Sequence, residues 1–216
     1  INLSGEYLGE NLLAHNVHVL NNFIYISHYT TGIKIVDIYN PEQPIEVASY
    51  DTYPNDDDDG FFGCWGAFPY TQNNFVYASD MQTGLFILEF NNIKAGWVEG
   101  TISDGINIIP NIIIQSTLND KNFPANMMGE FSFGFPSGEQ EFQFILNDEI
   151  INTQTMTIIP HKTNQINIVI GTFGDLNEDG VLNILDIILL VNFILNDNYN
   201  EMSDLNEDGE LNILEI

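Results

Sequence analysis

The stretch FIYISHYTTG at Phe23–Gly32 decides the fold, because it recurs as FVYASDMQTG at Phe75–Gly84. The following residues repeat as well, since GIKIVDI at Gly32–Ile38 aligns with GLFILEF at Gly84–Phe90 at the same offset. In each copy, a short run rich in β-branched and aromatic residues gives way to turn residues and then to a second such run. The pattern predicts a duplicated strand–turn–strand unit.

A duplicated unit of this kind is typical of β-propeller blades, because one unit cannot bury both of its faces and must stack on a neighbour. Two blades are too few, since a closed propeller has about four to eight. We therefore expect residues 1–93 to be the C-terminal part of a propeller whose other blades lie upstream of Ile1. The sequence starts without Met and without a leader-like segment, so we interpret it as an internal piece of a longer protein.

The residues around the repeat resemble a known family. GIKIVDI with the following YNPEQP at Tyr39–Pro44 resembles an LVIVD-type propeller repeat. The wider run of AHNVH at Ala14–His18, DTYP at Asp51–Pro54 and ASDMQTGL at Ala78–Leu85 is similar to the end of the choice-of-anchor B family. This resemblance covers residues 1–90 and implies an extracellular bacterial protein that carries a C-terminal anchoring module. It implies no particular activity.

Residues 94–172 have a different sequence pattern, with Gly-rich turns between short candidate strands. The candidates are Trp97–Ser103, Ile112–Ser116, Glu130–Phe135, Glu141–Leu146, Thr153–Ile159 and Gln165–Ile170. Their spacing and the lack of a helical period predict an antiparallel β-sandwich. The stretch GWVEGTISD at Gly96–Asp104 resembles the first strand of carboxypeptidase-regulatory-like domains, which implies a spacer. Another kind of sandwich remains an open alternative.

The most specific functional motif is DLNEDGVLNILD at Asp175–Asp186. Oxygen-bearing side chains occupy positions 1, 3, 5, 9 and 12 of this stretch, and glycine occupies position 6, which is the spacing of a twelve-residue calcium loop. The backbone carbonyl at position 7 completes the set. The predicted ligands are Asp175, Asn177, Asp179, Val181, Asn183 and Asp186. Ca²⁺ prefers six to eight oxygen ligands, and Gly180 permits the sharp turn that wraps the chain around the ion.

A second stretch, DLNEDGELNILE at Asp204–Glu215, repeats the same pattern. Its predicted ligands are Asp204, Asn206, Asp208, Glu210 through its backbone, Asn212 and Glu215. Each loop gathers three carboxylates that repel one another without a metal, so we expect binding of two Ca²⁺ ions to be coupled to folding. The alternative is two acidic turns without metal, which would have to reproduce the whole ligand spacing twice by chance.

The sequences that flank the loops point to a module. QINIVIG at Gln165–Gly171 precedes the first loop and is a poor helix, whereas Ile187–Leu195 follows the loop as a helix. A calcium loop with only an exiting helix, in duplicate, resembles a dockerin domain of the F-hand type over residues 173–216. The resemblance implies docking to a cohesin-like or other cell-surface protein.

The helix departs from the type I dockerin pattern. Ile184–Leu185 and Ile213–Leu214 stand where a Ser-Thr pair usually meets cohesin, so the calcium ligands carry over but the recognition residues do not. The apolar residues Ile184, Ile187, Ile188, Val191 and Leu195 form either a core or a partner surface. We expect a core.

The charge excludes whole classes of partner. The 216 residues include 31 Asp+Glu against 4 Lys+Arg, a net charge of −27. Nucleic acids and anionic membrane surfaces need many more basic residues. The apolar stretch Ile184–Leu195 is about half as long as the roughly 20 residues of a membrane helix, so we expect no transmembrane segment. With Cys64 as the only cysteine, no intrachain disulfide can form.

Several groups of polar residues contain metal-ligand or nucleophile types, but we favour a structural role for each. His15, His18 and His28 with Asp80 contain metal-ligand types, but alternation puts His15 and His18 on opposite strand faces. His28 and Asp80 fall at the same place in successive repeats, where both side chains would point toward a propeller channel. We leave binding by this cluster undecided and favour a structural role. Cys64 is expected to be a small buried hydrophobe.

An acidic run and an aromatic run lie between the repeats. NDDDDG at Asn55–Gly60 is expected to be a solvated loop, with an extra calcium site as the alternative. The aromatic residues that follow are expected in the core, although exposed rings beside carboxylates would suit sugar stacking. They are Phe61, Phe62, Trp65, Phe68 and Tyr70.

These observations predict a mainly β multidomain protein with partial β-propeller blades, an antiparallel β-sandwich and a small α calcium-loop module. The expected domains are 1–93, 94–172 and 173–216. No Gly-x-Ser-x-Gly, Gly-rich phosphate loop or His-Glu-x-x-His motif is present, so no catalytic residue is predicted. The favoured function is non-enzymatic, calcium-stabilised interaction or anchoring outside the cell. The alternative is the non-catalytic C-terminal part of a secreted polysaccharide-degrading hydrolase, and a plain stalk is weaker.

Overall fold

The computed structural model describes residues 1–9, 13–54, 60–104, 107–170, 174–177, 183–196, 198–199, 203–204 and 210–212. Within these residues it contains fifteen β-strands and one α-helix, which confirms the predicted mainly β multidomain fold. The chain divides into two compact units. Unit 1 consists of Ile1–Val98, Phe133–Glu139 and Thr157–Asn164, and unit 2 consists of Glu99–Ser132, Gln140–Met156 and Gln165–Ile216.

The first copy of the repeat forms a four-stranded antiparallel sheet, which we call the first repeat sheet. Its strands, in spatial order, are β1 (Asn16–Leu20), β2 (Phe23–Ser27), β3 (Ile33–Asp37) and β4 (Ile45–Tyr50). The turn between β2 and β3 needs glycine, because Gly32 has φ of 77° and a Cβ there would lie 2.1 Å from the Tyr50 carbonyl oxygen. The conserved spacing of the two copies therefore reflects one required turn geometry.

The second copy forms a three-stranded antiparallel sheet, the second repeat sheet. Its strands are β5 (Cys64–Phe68), β6 (Phe75–Asp80) and β7 (Gly84–Glu89), in that order. The pairing of β6 with β7 has the same register as the pairing of β2 with β3, since Phe23 pairs with Asp37 and the equivalent Phe75 pairs with Glu89. A fourth strand would fall at residues 97–102 by the repeat offset, but those residues belong to β8 of another sheet.

Buried side chains from both repeat sheets form one apolar core within unit 1. Its members are Phe23, Tyr25, Ile33, Ile35, Val47, Cys64, Ala67, Val76, Ala78, Phe90 and Ala95. The ring of Phe90 meets Phe23 and Tyr25 edge to face, at centroid distances of 5.1 and 6.2 Å. Each large apolar side chain buried in this way contributes about 1.5–3 kcal/mol, so contact between the repeat sheets is a main source of this unit's stability.

Eight further strands form two more sheets. They are β8 (Ala95–Ser103), β9 (Ile113–Ser116), β10 (Asn122–Pro124), β11 (Glu130–Pro136), β12 (Gly138–Leu146), β13 (Glu149–Ile158), β14 (Thr163–Gln165) and β15 (Ile168–Val169). One sheet has the order β10-β9-β12-β13, and the other has the order β11-β8-β14 with β15 also paired to β8. Each of the six predicted strand segments contains a strand.

Two details differ from the predicted sandwich. The segment Gln165–Ile170 gives the end of one short strand and a second one, and β15 runs parallel to β8 rather than antiparallel. The backbone N–H of Ile166 donates to the carbonyl of Glu99, so the chain crosses beside β8 before it pairs again. Strand β10 was missed because three residues ending in Pro124 carry no readable alternation.

The helix α1 spans Ile184–Leu195 and starts with a capping box. Asn183 is the N-cap and its side chain accepts from the backbone N–H of Leu185, while Asp186 reaches back to the N-cap backbone. Asn196 ends the helix. Twelve residues rise about 18 Å, well short of the roughly 30 Å of a bilayer core, and no helix among the described residues could span a membrane.

Candidate functional site

The carboxylate of Asp186 ties the first predicted calcium loop together. Its Oδ1 accepts hydrogen bonds from the backbone N–H groups of Leu176 at 3.0 Å and Asn177 at 3.3 Å. Its Oδ2 accepts from the backbone N–H of Asn183 at 2.8 Å. The bond from Asn183 is the main cause of a lowered pKa for Asp186. This one side chain therefore joins loop positions 2 and 3 to position 9 and keeps its negative charge.

The structure describes part of each predicted ligand set. The described residues are Asp175, Asn177, Asn183 and Asp186 of the first loop, and Asp204, Glu210 and Asn212 of the second. The other predicted ligands, Asp179, Val181, Asn206, Asp208 and Glu215, lie outside the described residues. In the part of the chain that is described, no three His, Cys, Asp or Glu side chains converge as a metal-binding group.

Three described carboxylates of the two predicted loops are buried. Asp175 and Asp204 each hold position 1 of their loop, and both are buried, as is Asp186. The hydroxyl of Tyr199 donates to Asp204 Oδ2 at 3.1 Å. Buried carboxylates are costly unless they are hydrogen-bonded or bind a metal, and an all-oxygen donor set of this kind suits Ca²⁺. The residues present therefore fit a calcium ion.

The expectation that the apolar residues of α1 form a core is wrong for most of them. Ile184, Ile187, Ile188 and Leu195 are exposed, Val191 is half-buried, and Leu190 is buried. The reason is helical periodicity. Asp186 is buried against the loop, and Leu190 lies one turn later on the same face of the helix, so that face is the buried one. The other side of the helix, with Ile184 and Ile188, presents a continuous apolar surface.

The three histidines of the N-terminal region have separate partners. The His15 ring lies on Trp65 with centroids 3.7 Å apart, and its Nδ1 is 2.6 Å from the Trp65 carbonyl oxygen. His18 meets the ring of Tyr70 edge to face at 5.7 Å. His28 is buried, with Nδ1 2.9 Å from the Thr31 hydroxyl.

His28 and Asp80, which occupy equivalent repeat positions, support the turns that follow β2 and β6. Asp80 Oδ1 accepts from the backbone N–H groups of Gln82 at 2.8 Å and Thr83 at 2.9 Å, and its Oδ2 accepts from the Thr52 hydroxyl at 2.6 Å. Burial raises the pKa of Asp80, but these hydrogen bonds outweigh it and lower the pKa overall. Both side chains are buried, and their hydrogen bonds to turn residues stabilise the two turns.

Cys64 is buried, as predicted. Burial, with a smaller contribution from the charge of Asp80, raises its pKa to about 12, so about one thiol in ten thousand is ionised at pH 8. We expect no reaction of native Cys64 with Ellman's reagent over minutes, and one thiol per chain after denaturation in guanidinium. Rapid reaction in the native protein would contradict this burial.

The expectation that the aromatic run lies in the core is wrong. The exposed residues include Phe61, Phe62, Trp65, Phe68 and Tyr70. Phe68 pairs with Tyr77 on β6, and the next pair along the strands is Ala67 with Ala78, both buried. Because successive side chains point to opposite faces, Phe68 lies on the side of the second repeat sheet that faces away from the core. The acidic residues 55–59 lie outside the described residues.

Sequence reasoning missed a cluster around the buried carboxylate of Asp37, at the end of β3. Oδ2 of Asp37 accepts from the backbone N–H of Ala95 at 2.8 Å and lies 2.8 Å from Nε2 of His161. Its Oδ1 accepts from the backbone N–H of Tyr39 at 2.8 Å. The rings of Tyr39 and His161 stack at 3.8 Å with an interplanar angle of 7°. All four residues belong to unit 1.

Comparison with family models finds two modules. Residues 13–52 match the LVIVD repeat, and residues 173–216 match the dockerin type I domain. Dockerin domains bind cohesins and type I dockerins are typically calcium-binding. Both modules are non-catalytic. No curated protein matches the chain.

Three solved structures have weak overall similarity. One is GBS52, the minor pilin of Streptococcus agalactiae, at 12% identity and a TM-score of 0.30, with 48% of this chain and 62% of that chain covered. A DUF3823 family protein from Parabacteroides merdae has 10% identity and a TM-score of 0.27, with 37% and 48% covered. A mutant type II cohesin–X–dockerin complex from Acetivibrio cellulolyticus has 14% identity and a TM-score of 0.27, with 56% and 90% covered.

The chain thus covers less than two thirds of the first two of these proteins. The two family models agree in place and kind with the resemblances read from the repeat and from the duplicated loop. The chain therefore carries an LVIVD repeat in its N-terminal part and a type I dockerin domain at residues 173–216.

Proposed function

We propose that this chain is the non-enzymatic docking or anchoring part of an extracellular protein, and that calcium stabilises its C-terminal module. The observation that carries this proposal is the loop closed by Asp186, within residues that match a type I dockerin domain. A loop organised around one buried carboxylate is the framework on which a calcium ion is held.

Each loop is proposed to hold one Ca²⁺ ion. In the first loop the ligands are Asp175, Asn177, Asp179, Asn183 and Asp186 with the carbonyl of Val181, and in the second they are Asp204, Asn206, Asp208, Asn212 and Glu215 with the carbonyl of Glu210. The ion would supply the positive charge that lets three carboxylates share one loop. Extracellular modules function with dissociation constants of about 10⁻⁴–10⁻³ M, so even weak loops would be filled outside a cell.

The partner of the module is proposed to be a cohesin-like or other cell-surface protein. Dockerin domains bind cohesins, and α1 offers the exposed apolar side chains of Ile184, Leu185 and Ile188 in place of the usual hydroxyl pair. An exposed apolar patch of this kind marks an interaction surface. The partner surface would accordingly be apolar at this point.

The rest of the chain is proposed to display and space this module. Residues 1–93 are proposed to be the end of an LVIVD-type β-propeller that presents a binding surface, and residues 94–172 a β-sandwich spacer, with the dockerin module at residues 173–216. The LVIVD match at residues 13–52 and the two repeat sheets support the first assignment.

The proposal is tested by calorimetric titration of the chain with Ca²⁺ and, separately, Mg²⁺, together with far-ultraviolet circular dichroism. We expect two Ca²⁺ ions to bind, Mg²⁺ to bind poorly because it demands tighter octahedral geometry, and EDTA to reduce the helical signal. The helical signal reports on the C-terminal module, because α1 is the helix within the described residues. Absence of calcium heat together with unchanged helicity in EDTA would refute the proposal.

A further inference from the structure

A small cavity lies within unit 1, where the β1–β2 turn meets the β5–β6 connection and the residues just after β7. Its volume is about 100 Å³, which corresponds to about three water molecules at roughly 30 Å³ each. Four asparagines line it, namely Asn21, Asn73, Asn74 and Asn92. We call this cavity the asparagine pocket.

Tyr25 is the buried polar residue of the asparagine pocket. It is 4% exposed, and its hydroxyl has no hydrogen-bond partner among the described residues. Burial raises the pKa of Tyr25, so the hydroxyl stays protonated at neutral pH and is able both to donate and to accept. A buried hydroxyl without a partner costs free energy. A ligand hydroxyl in the pocket would supply that partner.

The four asparagines are only partly explained by the turns that they form. Their φ values lie between 54° and 67°, and asparagine tolerates this left-handed conformation better than most residues. The turns account for the backbone but leave the side chains without a role. All four residues are exposed, so each amide offers one acceptor oxygen and two donor N–H groups at the mouth of the pocket.

The lining of the pocket selects an uncharged ligand. No Asp, Glu, Lys or His is among the described residues that line it, although the chain contains 31 acidic residues. A charged group of a ligand would be buried there without a partner, and unpaired buried charges are costly. Hydroxyl groups suit the lining best, because a hydroxyl both donates and accepts, as the amides and the phenol do.

The other walls of the pocket are mainly apolar. They include Leu20, Pro69, Phe75, Val76 and Phe90. Apolar and aromatic walls with a few placed polar groups are typical of small-molecule sites. A sugar ring has this combination, since its hydroxyls lie around the edge and its C–H groups form the faces. The volume admits one edge of a ring, with about two or three hydroxyls in the places of as many water molecules.

We propose that the asparagine pocket binds an uncharged sugar by one edge of its ring. The Tyr25 hydroxyl bonds a sugar hydroxyl inside the pocket, and the asparagine amides bond further hydroxyls at its mouth. The inference rests on the display role proposed above for residues 1–93 and adds a ligand class to it. The sugar comes either as a free monosaccharide or as the end of a longer chain.

Saturation-transfer NMR on residues 1–216 tests this proposal. The probes are the methyl glycosides of glucose, galactose, mannose and xylose, each titrated separately, with glucuronate and glucosamine as charged counterparts. We expect at least one neutral glycoside to bind with a millimolar Kd and both charged sugars to bind more weakly. Tighter binding of a disaccharide of the same sugar would assign the pocket to the end of a chain, and equal binding would assign it to the free sugar.

Two variants locate the binding in the pocket. Tyr25→Phe keeps the ring and should weaken binding about tenfold, as expected for one lost buried hydrogen bond. Its control is Tyr77→Phe, because Tyr77 has the same repeat position but does not line the pocket. Asn73→Gly removes one amide while glycine tolerates the φ of 67°, and it should also weaken binding. Its control is Asn147→Gly, in a turn of unit 2 with φ of 52°.

Three results would overturn the proposal. They are no binding by any of the neutral glycosides, tighter binding by a charged sugar than by every neutral one, and unchanged affinity in both Tyr25→Phe and Asn73→Gly. None of these results would affect the calcium titration, since the asparagine pocket belongs to unit 1 and the calcium loops belong to unit 2. Failure of the two proposals can therefore be told apart.

Discussion

Replacing Asp37 by alanine is expected to lower the free energy of unfolding of unit 1 by about 2–4 kcal/mol, because it removes the acceptor of two backbone N–H groups and each buried donor left unsatisfied costs about 1–3 kcal/mol. The Asp37 carboxylate is buried and accepts from the backbone N–H groups of Tyr39 and Ala95 while it contacts His161. Alanine would leave the N–H of Ala95 and the half-buried imidazole of His161 without their acceptor. The cost is largest at Ala95, which is buried, because an unsatisfied buried donor carries the full cost of desolvation.

The measurement is urea-induced unfolding followed by tryptophan fluorescence. Both tryptophans of the chain, Trp65 and Trp97, belong to unit 1, so the signal reports on the unit that contains Asp37. The linear dependence of the unfolding free energy on urea gives the change from the shift in midpoint.

The repeat provides a matched control for this substitution. Glu89 occupies on β7 the position that Asp37 occupies on β3, but Glu89 is exposed. Glu89→Ala should therefore change stability by no more than about 0.5 kcal/mol, as for ordinary surface substitutions. Equal losses in the two variants would show that the acidic side chain at this repeat position acts in some way other than through its buried contacts.

An isosteric substitution separates charge from shape. Asp37→Asn keeps an acceptor for one backbone N–H but sets an amide donor against the other, since asparagine has one acceptor oxygen where aspartate has two. The Asp37 carboxylate serves Tyr39 with one oxygen and both Ala95 and His161 with the other. Alanine removes both acceptor oxygens, whereas asparagine removes one. Asp37→Asn should therefore lower the free energy of unfolding less than Asp37→Ala.

The Asp37 cluster also shows where sequence reasoning stops. The repeat predicted β2, β3, β6 and β7 and their pairing, because strand register is fixed by alternation and by the turn between two adjacent strands. The partner of Asp37 could not be predicted, since His161 lies 124 residues further along the chain. A contact of that separation depends on how distant strands come together and leaves no local pattern.

The burial of repeated positions was predictable for only one of the two copies. Ile35 and Ile87 have the same alternation, and periodicity assigns both to a face of their sheet without saying what covers that face. In the first repeat sheet the cover is the second sheet, whereas the equivalent face of the second sheet is exposed in the described structure. Burial is thus a property of the neighbouring element as well as of the strand.

The two predicted calcium loops, in contrast, could be identified from local sequence alone. Their spacing is local, so the positions of Asp175, Asn183 and Asp186 in the motif were readable without any tertiary information. The same local pattern explains why the helix starts where it does, because Asn183 and Asp186 are also the capping-box residues. What the spacing could not give is the exposure of Ile184 and Ile188, which depends on the surfaces that meet the helix.

Asp186→Ala is expected to abolish the first calcium site and to unfold α1. Asp186 holds position 12 of the predicted loop, the position that supplies a bidentate carboxylate in twelve-residue calcium loops, and its oxygens also accept hydrogen bonds from the N–H groups of Leu176, Asn177 and Asn183. Calorimetric titration should show one Ca²⁺ ion bound in place of two, with affinity at the altered loop reduced by at least about 100-fold. Circular dichroism should show a helical signal that calcium no longer restores.

The control lies on the same helix, away from the loop. Asn192 is exposed in the last turn of α1, and alanine is the better helix former, so Asn192→Ala should keep both calcium ions and the helical signal. The pair of variants separates two roles that coincide in Asp186. Two bound ions and a full helix in Asp186→Ala would mean that the carboxylate neither binds calcium nor caps the helix. Loss of the helix with both ions still bound would show that Asp186 only caps the helix. A true position-12 ligand cannot be removed without weakening its own calcium site.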